Sequence, residues 1–289
     1  MEKLHPQWRR LVAAIRAARR GPVLVLGAVN TGKTTLVRQL ASALVREGPV
    51  WIIAADMGQA WLGPPTTLGR VRIARPVQRW LALRPERLIF VGATSPAVCL
   101  RQSAAALVRL ALDGVRAGER VLVDTPGLVT GRLAEALWGR VATRLRPPLV
   151  IAVEEGRELA PILGPFRDAG ARVLKVRPDP RVRVRNRTER TAYRAAAYRR
   201  YFRRARVRLL NRERIAVVPA VAGRAAVLDA GRLAALRDAA GRDLALALLR
   251  SVGPKRIALT TPLGDLAAIA TLAVGLLRVD AHTGEETIE

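Results

Sequence analysis

Eight consecutive residues, Gly27, Ala28, Val29, Asn30, Thr31, Gly32, Lys33 and Thr34, carry the strongest chemical signal in the chain. Glycine at both ends of the x-x-x-x spacer lets the backbone curl so that successive N–H groups point inward and cradle an anion. A helix starting directly afterwards adds the positive end of its dipole. In that setting Lys33 reaches the β- and γ-phosphates of a nucleoside triphosphate, and the Thr34 hydroxyl serves Mg²⁺. Thr35 completes the expected nucleotide-binding stretch. Two carboxylates belong to the same chemistry. Asp124 ends an apolar run, where an acid is placed to hold magnesium through a water. Asp56 ends another, where a carboxylate can accept a proton from an attacking hydroxyl.

These groups need rigid supports. Residues 23–26 form a short apolar run that predicts a buried strand ending at Gly27. Residues 34–45 follow with helical spacing of Leu36, Leu40 and Leu44. Further apolar runs at 50–55, 88–91, 121–123, 149–153 and 173–176 predict strands, and 104–115 a helix. Short apolar strands alternating with helices predict a three-layer α/β/α domain on a mostly parallel sheet. The spacing of Trp8, Leu11, Val12 and Ile15 predicts a short amphipathic helix within 1–20. Beyond residue 208 propensity leaves helix and strand open. There, 233–237 and 244–249 fit a hairpin around Ala239-Ala240-Gly241, and 256–260 fits a strand.

Fifty Lys plus Arg stand against 23 Asp plus Glu, a formal charge of +27. That balance predicts a polyanionic partner, RNA or single-stranded nucleic acid. Only Lys3, Lys33, Lys175 and Lys255 are lysines, so a GC-rich genome accounts for arginine over lysine but not for the shortage of acids. The segment 181–208 is densely basic, with Tyr193, Tyr198, Tyr201 and Phe202 interleaved. Tyr198, Tyr201 and Phe202 form an i, i+3, i+4 stripe that reads as packing, which leaves binding to the arginines. Cys99 is the only cysteine, so intrachain disulfides and cysteine zinc sites are excluded and a cytoplasmic location is expected. Arginines at 9, 10, 16, 19 and 20 argue against a signal peptide, and no apolar stretch is long enough for a membrane span.

Several further motifs resemble one family, the polynucleotide 5′-hydroxyl kinases. Ala54-Ala55-Asp56-Met57-Gly58-Gln59, followed by Gly63-Pro64-Pro65, resembles the family's D-x-D-x-G-Q and its Gly-Pro-Pro segment. Phe90-Val91-Gly92-Ala93-Thr94-Ser95-Pro96 resembles F-V-G-x-x-S-P, and Asp124-Thr125-Pro126-Gly127 resembles N-T-P-G. Arg185, Arg190 and Arg194, then Tyr201-Phe202, are similar to its arginine lid. Residues 236–242 resemble a segment near the family's C-terminus. Two departures stand out: Ala54 replaces the first Asp, and Asp124 stands where the family often has Asn.

The resemblance implies an ATP- and Mg²⁺-dependent kinase acting on the 5′-hydroxyl of RNA or DNA. It implies a P-loop domain over 21–207, with its lid at 181–207, and a small β-rich domain over 208–289. By the same resemblance Lys33, Asp56, Arg185 and Arg190 are the expected catalytic set. Thr34 and Asp124 hold the metal, Gln59 and Ser95 meet the substrate end or the magnesium shell, and Trp61, beside the Gly-Pro-Pro turn, reads equally as a ring stacking on a substrate base or as a buried tryptophan. Two other readings stay open. The Asp124-x-x-Gly127 spacing also resembles the nucleotide-sensing turn of a regulatory GTPase, although no guanine-selecting Asn/Thr-Lys-x-Asp segment follows it. Ala54 equally suits a catalytically weak, ATP-holding RNA-binding module.

Overall fold

The computed structural model describes residues 6–288; the first five residues of the expected N-terminal segment 1–20 lie outside them. In chain order the elements begin with α1 (Pro6–Ala17), β1 (Pro22–Gly27), α2 (Lys33–Leu44), β2 (Val50–Ala54), β3 (Thr67–Ile73) and β4 (Arg87–Phe90). Then come α3 (Leu100–Arg116), β5 (Arg120–Asp124), α4 (Gly131–Leu145), β6 (Leu149–Val153), α5 (Ala160–Asp168) and β7 (Arg172–Val176). The last are α6 (Arg187–Phe202), β8 (Arg206–Asn211), β9 (Ala216–Pro219), β10 (Arg232–Asp238), β11 (Asp243–Val252), β12 (Arg256–Thr261), β13 (Ile269–Val279) and β14 (Glu286–Ile288).

They form two compact units. The first comprises the described residues up to Asp56, Gly69–Glu86 and Ser103–Arg185; the second comprises Met57–Leu68, Arg87–Gln102 and the described residues from Asn186 onward.

In the first unit the strands run β3-β2-β5-β1-β6-β7. All neighbours are parallel except β3, which is antiparallel to β2. Every residue of β1, β2 and β6 is buried, as continuous apolar runs require when helices cover both faces. The α1 stripe of Trp8, Leu11, Val12 and Ile15 is buried, and α2 buries Leu36, Leu40 and Leu44. Burial of each such leucine contributes about 1.5–3 kcal/mol. Three elements are additional to those read from the sequence: β3, α4 and α5. Two prolines disguise α5, Pro161 in its first turn and Pro165 further in. The first is tolerated because an N–H there has no acceptor within the helix.

In the second unit β10 and β11 form the expected hairpin, with Leu233 opposite Leu248. Gly241 supplies the left-handed turn residue at φ 70. β13 pairs with β10, β14 and β9, while β12 joins β11 to β8. The run at 88–91 is not one of the parallel set: it forms β4, which pairs antiparallel with β11 at Asp243 and Leu88. Both faces of this sheet are covered. Leu233, Leu246 and Leu248 pack with Phe90, Tyr198 and Phe202 on one side, and Leu236, Leu249 and Leu259 pack together on the other. The Tyr198–Phe202 stripe is thus core, with Tyr201 against Phe202 edge-on at 5.0 Å.

Candidate active site

The phosphate cradle is built from glycine geometry. A Cβ on Gly27 would lie 2.7 Å from Thr31 Oγ1 and 2.8 Å from the Val153 carbonyl, so only glycine lets β1 turn there. Gly32 caps α2 in the left-handed region at φ 82, and Asn30 shares that region at φ 65, as asparagine tolerates. Thr31 Oγ1 donates to the Ala28 carbonyl at 2.9 Å and braces the loop. The first N–H groups of α2, at Lys33, Thr34 and Thr35, have no acceptor within the helix and present themselves at the loop mouth.

Lys33 is only 6% exposed, and its Nζ donates to the Ala28 carbonyl at 2.6 Å. Burial holds its pKa below the ordinary lysine value, while Asp56 and Asp124 act in the opposite sense. Thr34 Oγ1 donates to Asp124 Oδ2 at 2.8 Å. Asp124 is the buried last residue of β5 and lies beside Val25 on one side and Ala54 on the other. The Ala55 N–H donates to its carbonyl at 2.8 Å, and Asp56, half-buried, comes next in the chain. The first unit therefore gathers the loop, Lys33, Thr34, Asp56 and Asp124 at the carboxyl edge of its parallel strands.

The two departures from the family pattern meet here. Ala54 and Asp124 are register partners across β2 and β5. The alanine at the one position thus stands directly beside the carboxylate at the other.

Hard divalent cations take oxygen ligands. The adjacent Thr34 hydroxyl and Asp124 carboxylate fit that requirement for Mg²⁺. No group of three or more His, Cys, Asp and Glu suited to a metal occurs among the described residues, so the remaining ligands would be nucleotide and water oxygens.

Two supports were not legible in the sequence. Thr125 Oγ1 donates to the Val25 carbonyl at 2.6 Å, fixing the turn after Asp124 against β1. A strap from Asp179 to Arg185 crosses the loop: a Cβ on Gly32 would lie 2.6 Å from Val182, and Asn30 hydrogen-bonds the Arg185 backbone. No local spacing signals a pairing between residues 155 apart.

Arg185 is exposed at the end of the first unit. The remaining expected residues lie in the second unit. Gln59 Nε2 donates to the Gly58 carbonyl at 2.8 Å, and Ser95 Oγ accepts from the Ala97 N–H at 3.3 Å. Arg190 lies in the first turn of α6, behind a capping box of Asn186 and Glu189. Trp61 is 3% exposed, so its ring serves packing as the structure stands, and stacking on a base would require that burial to open. Among the described residues no helix is long and apolar enough to cross a membrane.

Comparison with known proteins places the chain. The family model described as mRNA cleavage and polyadenylation factor CLP1 P-loop matches residues 27–204. A polyribonucleotide 5′-hydroxyl-kinase of Pyrococcus furiosus is 31% identical over 196 residues, covering 68% of this chain and 54% of the relative. One from Methanocaldococcus jannaschii is 28% identical over 186 residues, covering 64% and 51%. The chain thus spans about half the length of the curated relatives it matches. Among solved structures, a chain from the wild-type Clp1p–Pcf11p complex aligns with TM-score 0.72 at 15% identity, covering 94% of this chain and 78% of that one. The likeness is one of fold: a P-loop NTPase core with a strand-rich C-terminal region. With more than half its length matched from Gly27 onward, the chain belongs to the CLP1 P-loop family.

Proposed function

We propose that this chain transfers the γ-phosphoryl group of ATP to the 5′-hydroxyl of a polynucleotide, RNA in the first instance. The observation that carries the proposal is the grouping of Lys33, Thr34, Asp56 and Asp124 at one strand edge beside the loop amides. The names of the archaeal relatives support the same activity.

In this reading the loop amides and Lys33 hold the triphosphate, and Lys33 offsets charge that grows on the phosphate oxygens. Bound Mg²⁺, held by Thr34 and Asp124, would neutralise charge on the phosphates. Asp56 orients the substrate hydroxyl and takes its proton. The bond from the 5′-oxygen to the γ-phosphorus forms, that to the β–γ bridging oxygen breaks, and ADP leaves. Arg185 and Arg190 act as lid arginines on the transferring group. Gln59 and Ser95 serve the acceptor end. Residues 21–207, with the lid at 181–207, form the catalytic region, and 208–289 belong to the second unit together with Met57–Leu68, Arg87–Gln102 and α6 rather than forming a domain alone. The setting is the cytoplasm.

The test is transfer of label from γ-labelled ATP to 5′-hydroxyl RNA and DNA oligonucleotides by the full chain. Transfer to 5′-hydroxyl but not 5′-phosphate ends is expected. ATP binding without transfer would favour the ATP-holding RNA-binding module, to which Ala54 lends support.

A further inference from the structure

The amino ends of the parallel strands carry a cavity that the catalytic edge does not account for. It has a volume of about 420 Å³ and lies between the end of α1 and the starts of β1 and β5. That volume is within the range of small-ligand sites. All its walls belong to the first unit. The six residues of β1, at about 3.3 Å each, set it about 20 Å from the phosphate cradle.

Its charge is one-sided. Arg16, Arg19, Arg20 and Arg120 line it against two acids, Glu47 and Glu119. Both acids are already engaged: Glu47 accepts from Arg16 Nε at 2.9 Å, and Glu119 accepts from Arg72 Nε of β3 at 2.8 Å. Arg120 Nη1 donates to the Ile15 carbonyl at 3.0 Å, which fixes its guanidinium beside the last turn of α1. Arg20 reaches the turn between α3 and β5, its Nη1 3.5 Å from where a Cβ on Gly118 would stand. Arg19 and Arg20 are exposed and have no acidic partner among the described residues. The carbonyl ends of α1 and α3 also fall here, but Arg16 and Arg116 already stand in their last turns. Arg19, Arg20 and Arg120 are left in excess, and guanidinium forks match phosphate oxygens two at a time.

We propose that this cavity is a second phosphate site, taking a phosphate-bearing anion on Arg19, Arg20 and Arg120 at the edge opposite phosphoryl transfer. The phosphate belongs either to a free polyphosphate or to the backbone of a polynucleotide. The proposal stands apart from the cradle reading, because it shares no residue with it.

The test is arginine footprinting of the full chain with phenylglyoxal, mapped by mass spectrometry, with inorganic tripolyphosphate and a single-stranded oligonucleotide as separate protectants. Modification of Arg19 and Arg20 should slow, while that of Arg140 and Arg144, exposed on α4, should not. Protection by tripolyphosphate identifies a free ligand, and protection by the oligonucleotide alone identifies a strand backbone; either bears the proposal out. Protection by neither, or equal protection on α4, overturns it. Calorimetry with the protecting ligand then uses Lys33→Ala, which empties the cradle. Binding should persist there, weaken by about tenfold or more when Arg19→Gln and Arg20→Gln are added, and stay unchanged with Arg140→Gln and Arg144→Gln. Equal weakening by both pairs would reduce the site to general charge attraction and overturn it. If the Arg19 and Arg20 variant fails to fold, the wild-type footprint decides. Failure of phosphoryl transfer leaves this footprint untouched, so the two readings fall separately.

Discussion

Asn30 holds the Arg185 peptide at both ends: its Nδ2 donates to the carbonyl at 3.2 Å, and its Oδ1 accepts the N–H at 3.3 Å. The loop is thereby tied to the strap that crosses it. Asn30→Gly keeps the left-handed backbone and deletes both bonds. At about 1 kcal/mol per bond, the strap should open about tenfold or more often. Trypsin should then cut after Arg181, Arg183 and Arg185 correspondingly faster, with the melting temperature little changed. Unaltered cleavage would mean that Val182 over Gly32 holds the strap unaided.

Lys33 gives a pH signature. Burial favours its neutral form, so in the nucleotide-free protein it loses its proton at lower pH than an ordinary lysine. Phosphate binds the charged form. Affinity for ATP should therefore be full below this lowered pKa and fall as pH rises through it. Lys33→Arg should flatten the profile, and Lys33→Ala should lose measurable binding in a folded protein. Calorimetry across neutral to alkaline pH reads all three.

Asp56→Asn keeps the side chain's shape but cannot take a proton. Transfer should fall by about 10²- to 10⁴-fold, the usual cost of removing a general base. ATP affinity near neutral pH should change little, because the loop amides and Lys33 remain. Single-turnover assays beside binding measurements separate the two effects. A parallel fall would assign Asp56 to the metal instead.

The Ala54–Asp124 pairing across β2 and β5 invites an exchange experiment. Asp124→Asn removes the acid beside Thr34 and should weaken the magnesium dependence of ATP binding. Ala54→Asp alone sets two carboxylates side by side and should destabilise the fold. The double exchange carries the charge to the neighbouring strand and should recover a large part of both losses. Additive damage in the double variant would show that the two positions do not share a task.

Polynucleotide binding should be salt-sensitive. Arg187, Arg200, Arg203, Arg204 and Arg206 are exposed in the basic segment. Each phosphate neutralised should add about −0.7 to the log–log salt slope for a single strand. Fluorescence anisotropy with a labelled oligonucleotide measures it. A flat response would separate the +27 charge from polynucleotide binding.

What was legible in the sequence was local. The loop from Gly27 to Thr34 declares itself because glycine positions, strand and helix are contiguous. The β10–β11 hairpin was legible through its turn, though not through alternation, since both faces of that sheet are buried and period two is erased. What stayed hidden was of two kinds. α5 carries prolines where a helix reading stops, and β3 follows a turn-rich stretch with mixed polarity. The rest is long-range: the Ala54–Asp124 register, the Thr125 tie to β1 and the Asn30 strap join segments that no spacing rule connects. Trp61 shows the limit from the other side, because an aromatic beside a Gly-Pro-Pro turn reads equally well as a stacking platform or as core, and only burial distinguishes them.

The two compact units interleave along the chain, which passes from one to the other after residues 56, 68, 86, 102 and 185. No single break in the gene can therefore separate them. A fragment beginning at Asn186 would carry β11 without its partner β4, and the core around Leu246 without Phe90. The second unit is not a cassette that recombination can append or delete at one joint. Its two early inserts lie inside the coding span of the first unit, so gain, loss or drift in either unit is inherited through the other.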